Sequence, residues 1–231
     1  MHKKNYQLYL FDFDGLLVNT EELHFLAYQK MCANHGFNLS WNFSTYCNYA
    51  HFSATGIQEE ICSLFPQILK RTTWEALYQE KKEVYLTILN ECSVSLMAGV
   101  ELLLKWLEIE EIPCCVVTHS PLRQTLLIRE QIPLLKTIPH WVTREDYTRP
   151  KPASEGYLTA IERHGNGVTS IVGFEDSKKG LASLVKAPVD AYLISSVLSK
   201  AQVAEIREQL GKFFFFHSSF QEFFGQGNSL I

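Results

Sequence analysis

Residues 10–20, LFDFDGLLVNT, run apolar side chains straight into two carboxylates one position apart and then reach Gly15. The run from Tyr6 to Phe13 has few polar breaks, the pattern of a strand covered on both faces. On such a strand Asp12 and Asp14 would point to the same side. Two like charges at that spacing repel unless a positive group lies between them or one is protonated, and burial sharpens the conflict. The stretch therefore reads as a buried strand that ends in a site.

Outward from this strand the character changes twice. From Glu21 to about Asn90 the segments TEELHFLAYQKMCANHG and WEALYQEKKEVYLTILNE carry apolar residues at helical spacing, with Gly36 and Pro66 as punctuation. The expectation is an all-helical insert over 17–95. After Ala98–Gly99, strands and helices alternate. VELLLKWLEIEE puts Val100, Leu103, Leu104 and Leu107 on one helical face, and CCVVT follows as a strand. Ser120 and Pro121 look like a helix start, with a capping hydroxyl and a proline whose missing N–H costs nothing. Then come the short apolar piece HWVT, the loop REDYTRPKP and a helix from Ala153 to Arg163. SIVGFED, DAYLI and KFFFF read as strands, with SKKGLASLVKA and SKAQVAEIREQL as helices between them. Phe220, Phe223 and Phe224 suggest a short amphipathic helix at the end. Alternation of this kind predicts an α/β core, residues 1–16 and 96–231, with a parallel sheet and helices on both faces.

Bulk properties exclude several classes. The 231 residues are 46% hydrophobic and 20% charged, which suits a soluble globular chain large enough to bury a core. A net charge of −4 without a basic block gives no support to nucleic acid or an anionic membrane as partner. No stretch reads as a signal peptide or a membrane span. The six cysteines form no CxxC pair, so reduced thiols in a cytoplasmic monomer are expected rather than a disulfide framework.

Ligands of open α/β sheets bind beyond the carboxyl ends of the strands. Those ends here carry Asp12 and Asp14, then Thr118, His119 and Ser120, then Glu175 and Asp176, while the loop before the Ala153 helix supplies Lys151. Four carboxylates, two hydroxyls and a lysine at one rim suit phosphoryl transfer to a carboxylate. Carboxylate oxygens hold Mg²⁺, which would also relieve the repulsion between the acids. A carboxylate can act as nucleophile, and a lysine with hydroxyl donors can stabilise the transferring oxygens. Each residue alone has a plainer reading: a strand-end turn, a helix cap, a surface lysine, or acids favouring a helix N-terminus. Their order along the chain favours the site.

DFDGLLVNT, VVTHS, RPKP and GFEDSKKG resemble, in order, the four signature motifs of the haloacid dehalogenase-like hydrolases, and the resemblance covers essentially the whole chain. It is nearest to the phosphatase and beta-phosphoglucomutase branch. It implies a Rossmann-like core, a helical cap inserted after the first motif, and Mg²⁺ dependence. Asp12 then matches the nucleophile, and Asp14 the general acid/base whose backbone carbonyl also reaches the metal. Thr118 matches the phosphoryl-binding hydroxyl and Lys151 the third-motif lysine. Asp176, with Glu175, matches the metal carboxylates. Ser120 and His119 would lie beside the substrate. Asn19, His119 and the missing proline in TEELH depart from the common pattern without removing a catalytic atom. His24 reads as a cap-helix residue and Gly56 as a loop glycine.

The expected activity is Mg²⁺-dependent hydrolysis of a small phosphorylated metabolite. A sugar-phosphate mutase would need a second phosphate site on the cap, yet the stretch after the cap glycine is the acidic GIQEE, and Pro121 and Leu122 stand where a basic residue and an Asn occur. A non-catalytic phospholigand-binding or regulatory protein predicts loss of the acids, all of which are present. A dehalogenase would not need Asp14 or the metal acids.

Overall fold

The N-terminal apolar run forms β1 (Leu8–Phe11) in the computed structural model, which describes residues 5–53 and 55–225. All four residues are buried. Five further strands join it: β2 (Cys114–Val117), β3 (His140–Val142), β4 (Ile171–Glu175), β5 (Asp190–Ile194) and β6 (Phe215–His217). Their order is β3-β2-β1-β4-β5-β6, and every neighbouring pair is parallel. The chain lays β2 and β3 on one side of β1 and then crosses to lay β4 on the other. This puts a topological switch point at β1, where such sheets open a crevice.

Helices α5 (Val100–Ile109), α6 (Leu122–Gln131), α7 (Glu155–His164), α8 (Lys178–Leu184), α9 (Lys200–Leu210) and α10 (Phe220–Gly225) belong to the same unit. α5 buries Val100, Leu103, Leu104 and Leu107, the face its spacing predicts. On the sheet, Phe11 stacks on Phe174 with ring centroids 5.3 Å apart, and Phe220 of α10 packs on Phe174 at 5.2 Å. The fold is thus the predicted α/β class, a Rossmann-like parallel sheet with flanking helices.

The second unit, Thr20–Val94, carries helices and no strand among its described residues: α1 (Glu21–Asn34), α2 (Phe43–Phe52), α3 (Gly56–Leu64) and α4 (Trp74–Glu91). Asn42 caps α2 by accepting from the Thr45 N–H, and Thr73 caps α4 through Ala76. Tyr28, Met31, Cys32, Leu39, Tyr46 and Ile61 form part of its own core. The sheet unit takes in the chain up to Asn19. Bridges from Asp14 to Val18 and from Val18 to Leu96 tie the end of that stretch to the sheet unit.

Three local expectations are corrected. β1 stops at Phe11 instead of Phe13, because the Phe13 carbonyl accepts from the N–H groups of Leu16, Leu17 and Val18 and turns the chain. The last strand is Phe215–His217, not Lys212–Phe216; Phe214 is buried, but Phe213 is 77% exposed. Gly56 begins α3 and is no loop glycine: a side chain there would meet the Tyr49 carbonyl at 2.9 Å. The cysteines are free thiols, with Cys32, Cys47, Cys114 and Cys115 buried. No helix among the described residues is long and apolar enough to cross a membrane.

Gly99 precedes α5 with φ +86°, and a Cβ there would lie 2.4 Å from the Gln221 nitrogen of α10. A left-handed backbone and a backbone collision add, so Gly99→Ala is expected to destabilise the protein by about 2–4 kcal/mol. Thermal unfolding measures this; a melting temperature within a degree of wild type would contradict the packing described.

Candidate active site

Register decides which residues meet. Phe11 of β1 lies opposite Val116 of β2 and Phe174 of β4, so Asp12, Thr118 and Glu175 come to the same edge of three adjacent strands. Asp12 leaves β1 with its N–H on the Phe174 carbonyl at 3.0 Å. Thr118 is anchored three ways: its N–H donates to Val142, its Oγ1 accepts from the Ser120 N–H, and its carbonyl accepts from the Tyr147 hydroxyl. His119, next along, is exposed.

The Lys151 ammonium is 2.6 Å from Asp12 Oδ1 and 2.7 Å from Glu175 Oε1. Glu175 has no exposed surface, and the Tyr157 hydroxyl donates to its Oε1 at 2.5 Å. Lys151 also faces the Tyr157 ring, 5.3 Å from the centroid. Burial disfavours the charged lysine, but the two carboxylates outweigh it and raise its pKa above the ordinary value. Burial pushes Glu175 up to about 8, with Asp12 and Asp176 adding to the rise and Lys151 opposing it. Behind Glu175, Gly180 of α8 leaves no room: a Cβ there would come 1.8 Å from Oε2. Ser177 caps α8 by accepting from the Gly180 N–H.

Asp12, Glu175 and Asp176 each offer a carboxylate oxygen, and these atoms lie within 4.8 Å of one another. Glu175 Oε2 is buried without a hydrogen-bond partner among the described residues. An orphaned buried carboxylate oxygen in an oxygen-only donor set fits a hard divalent cation such as Mg²⁺.

Asp14 belongs to a second set of contacts. β1 ends before it and Gly15 follows with φ +77°, so Asp12 and Asp14 do not sit two apart on a strand. Asp14 Oδ2 accepts from the Ser120 hydroxyl, and Oδ1 accepts from Gln124 Nε2 at 3.3 Å. The expected cap role of Ser120 is therefore corrected. Its hydroxyl is given to Asp14, Pro121 is the N-cap of α6, and the Leu122 N–H is met by the Glu145 carboxylate at 3.1 Å.

Gln124 and Tyr157 lie outside the motifs legible in the sequence. Ser120 and Gln124 are four apart at a helix start, which was the available signal. Tyr157 sits on α7 and gave none, whereas Gly180 of α8 closes the GFEDSKKG motif. His24 lies in α1, where its Nδ1 is 2.7 Å from Lys81 Nζ and its ring stacks on Tyr85.

The architecture is that of a doubly wound α/β protein with a cation-ready carboxylate cluster at its switch point. A profile of haloacid dehalogenase-like hydrolases matches residues 9–194, and the chain belongs to that family. It is 27% identical over 192 residues to a phosphorylated carbohydrates phosphatase of Thermotoga maritima, covering 78% of this chain and 81% of that one. It is 25% identical over 194 residues to (DL)-glycerol-3-phosphatase 2 of Arabidopsis thaliana, covering 80% and 78%. Among solved structures, a family IA HAD hydrolase of Entamoeba histolytica superposes with TM-score 0.73 at 23% identity, covering 94% of each chain. CbbY of Rhodobacter sphaeroides, in complex with phosphate, gives TM-score 0.71 at 20% identity, covering 94% and 96%.

Removing Lys151 would strand two carboxylates. Lys151→Ala is expected to cost about 3 kcal/mol at pH 8, the range for breaking a buried pair. The cost should be smaller at pH 5. Lys151 opposes the rise in the Glu175 pKa, so its removal raises that pKa further. The added loss accrues as pH rises towards about 8, where wild-type Glu175 ionises, whereas at pH 5 Glu175 is protonated with or without the lysine. Urea unfolding in EDTA at both pH values measures this; equal losses would contradict it.

Proposed function

We propose that the protein is a phosphatase that hydrolyses a small phosphomonoester through an aspartyl-phosphate on Asp12. The observation that carries this reading is the cluster of Asp12, Lys151, Glu175 and Asp176 at the sheet's switch point. A Lys151 ammonium between Asp12 and Glu175 orients the Asp12 carboxylate, as the attack of a nucleophile requires. The relatives named as phosphatases of phosphorylated carbohydrates and of glycerol 3-phosphate favour a small phosphorylated carbohydrate or polyol as substrate.

The chemistry divides between the two carboxylates. An Asp12 oxygen attacks phosphorus as the bond to the leaving oxygen breaks, and protonated Asp14 gives its proton to that oxygen, releasing the alcohol. Asp14, now ionised, takes a proton from water as the water oxygen attacks phosphorus, freeing Asp12 and inorganic phosphate. Thr118 and Ser120 are the phosphoryl-side hydroxyls, Lys151 offsets negative charge on the phosphoryl oxygens, and His119 is a substrate-side residue. Mg²⁺ held by Asp12, Glu175, Asp176 and the Asp14 carbonyl would supply further charge neutralisation of the phosphoryl group.

The mutase alternative needs a cationic second phosphate site, whereas Gln58, Glu59 and Glu60 in the first turns of α3 supply no cation. Conversion of beta-glucose 1-phosphate to glucose 6-phosphate with little free phosphate would favour it. For the phosphatase, Asp12→Asn is expected to lower turnover of an aryl phosphate by at least about 10³-fold, as loss of a covalent nucleophile does. EDTA should abolish turnover and added Mg²⁺ restore it. Phosphate release by Asp12→Asn near the wild-type rate would sink the reading.

A further inference from the structure

Gln124 is an amide on the buried face of α6, beside Thr125 and Ile128, and is only 7% exposed. A buried amide without partners destabilises a fold, so such a group needs hydrogen bonds. Its Nε2 is 2.7 Å from Ser120 Oγ and 3.3 Å from Asp14 Oδ1, while Ser120 Oγ donates to Asp14 Oδ2. The three side chains form a closed ring. One amide hydrogen goes to the hydroxyl, the other to the carboxylate, and the hydroxyl hydrogen to the second carboxylate oxygen. We infer that Gln124 is a positioning residue that holds the Asp14 carboxylate in line with the leaving oxygen; this deepens the phosphatase reading and rests on it.

Two features distinguish this from packing. Ser120 has a single hydroxyl hydrogen, which a phosphoryl oxygen would draw away from Asp14. Gln124 has two donor hydrogens and is not placed among the phosphoryl-side groups, so it keeps Asp14 oriented when Ser120 turns to the substrate. An amide is also uncharged. A lysine or arginine in its place would bind the carboxylate without offering an acceptor to its protonated form, whereas a glutamine can present its oxygen by rotating. The orientation of Asp14 thus survives a proton leaving and returning.

A proton donor matters most when the leaving group is poor. The test compares kcat/KM of wild type and Gln124→Met across phosphate monoesters, from p-nitrophenyl phosphate through phenyl phosphate to an alkyl phosphate. Methionine keeps the length and helix propensity and removes the amide. The expected loss is about tenfold or more on the alkyl ester and under about threefold on the p-nitrophenyl ester, a share of the 10²–10⁴-fold due to a general acid. Gln124→Asn, one methylene too short to reach, should show the same selective loss, and it serves if Gln124→Met melts below the assay temperature. A uniform loss across the esters in the folded variant, or none, overturns the positioning role while leaving the phosphatase intact. A wild type without phosphate release, or an active Asp12→Asn, overturns both.

Discussion

One ammonium sets the terms for the site. Asp12 and Glu175 approach the same point from β1 and β4, and burial makes their proximity unfavourable unless a positive charge lies between them. Lys151 supplies that charge from a loop outside the sheet. It approaches both carboxylates at salt-bridge distance, and its nitrogen also faces the Tyr157 ring, whose hydroxyl fastens Glu175. The arrangement still leaves one Glu175 oxygen unmet and Asp176 close by. A lysine is one charge against three acids, and the remainder of that imbalance is what a divalent ion suits.

The parallel sheet supplies the convergence. Because β1 is central, with β2 and β4 as its neighbours, three loops leave the same edge. The first delivers Asp12 and Asp14, the second Thr118 and Ser120 and leads into α6 with Gln124, and the third Asp176 directly after Glu175 at the end of β4. Two hydrogen-bonded sets result. The first places the Lys151 ammonium against Asp12; the second places the Ser120 hydroxyl and the Gln124 amide against Asp14. The proposed division of labour between a nucleophile and an acid/base would draw on such a difference between adjacent carboxylates.

Much of this was legible in the residues. Alternating strands and helices gave the α/β class, and the acids closing apolar strands marked the carboxylates that the fold brings together, because both are local patterns. The missing parts are those that depend on packing between distant segments. Gln124 could be read as any polar residue on a helix until its face was known to be buried. Tyr157 gave no sign that its hydroxyl would reach Glu175. The Ser120 cap failed because a tertiary partner, Asp14, took the hydroxyl. The last strand was misplaced because FFFF has no periodicity to show which phenylalanine faces solvent, and Phe213 does.

The bare α-carbon at position 180 has a further consequence. α8 begins against the Glu175 carboxylate with no side chain between them, and the Ser177 hydroxyl holds that first turn in place. Helix and carboxylate therefore share one clearance: if α8 slid towards the sheet, the acid would have to rotate, and if it withdrew, solvent would enter behind the acid. The mechanical seating of a structural helix and the aim of a charged oxygen are in this way a single tolerance, set by one missing methyl group.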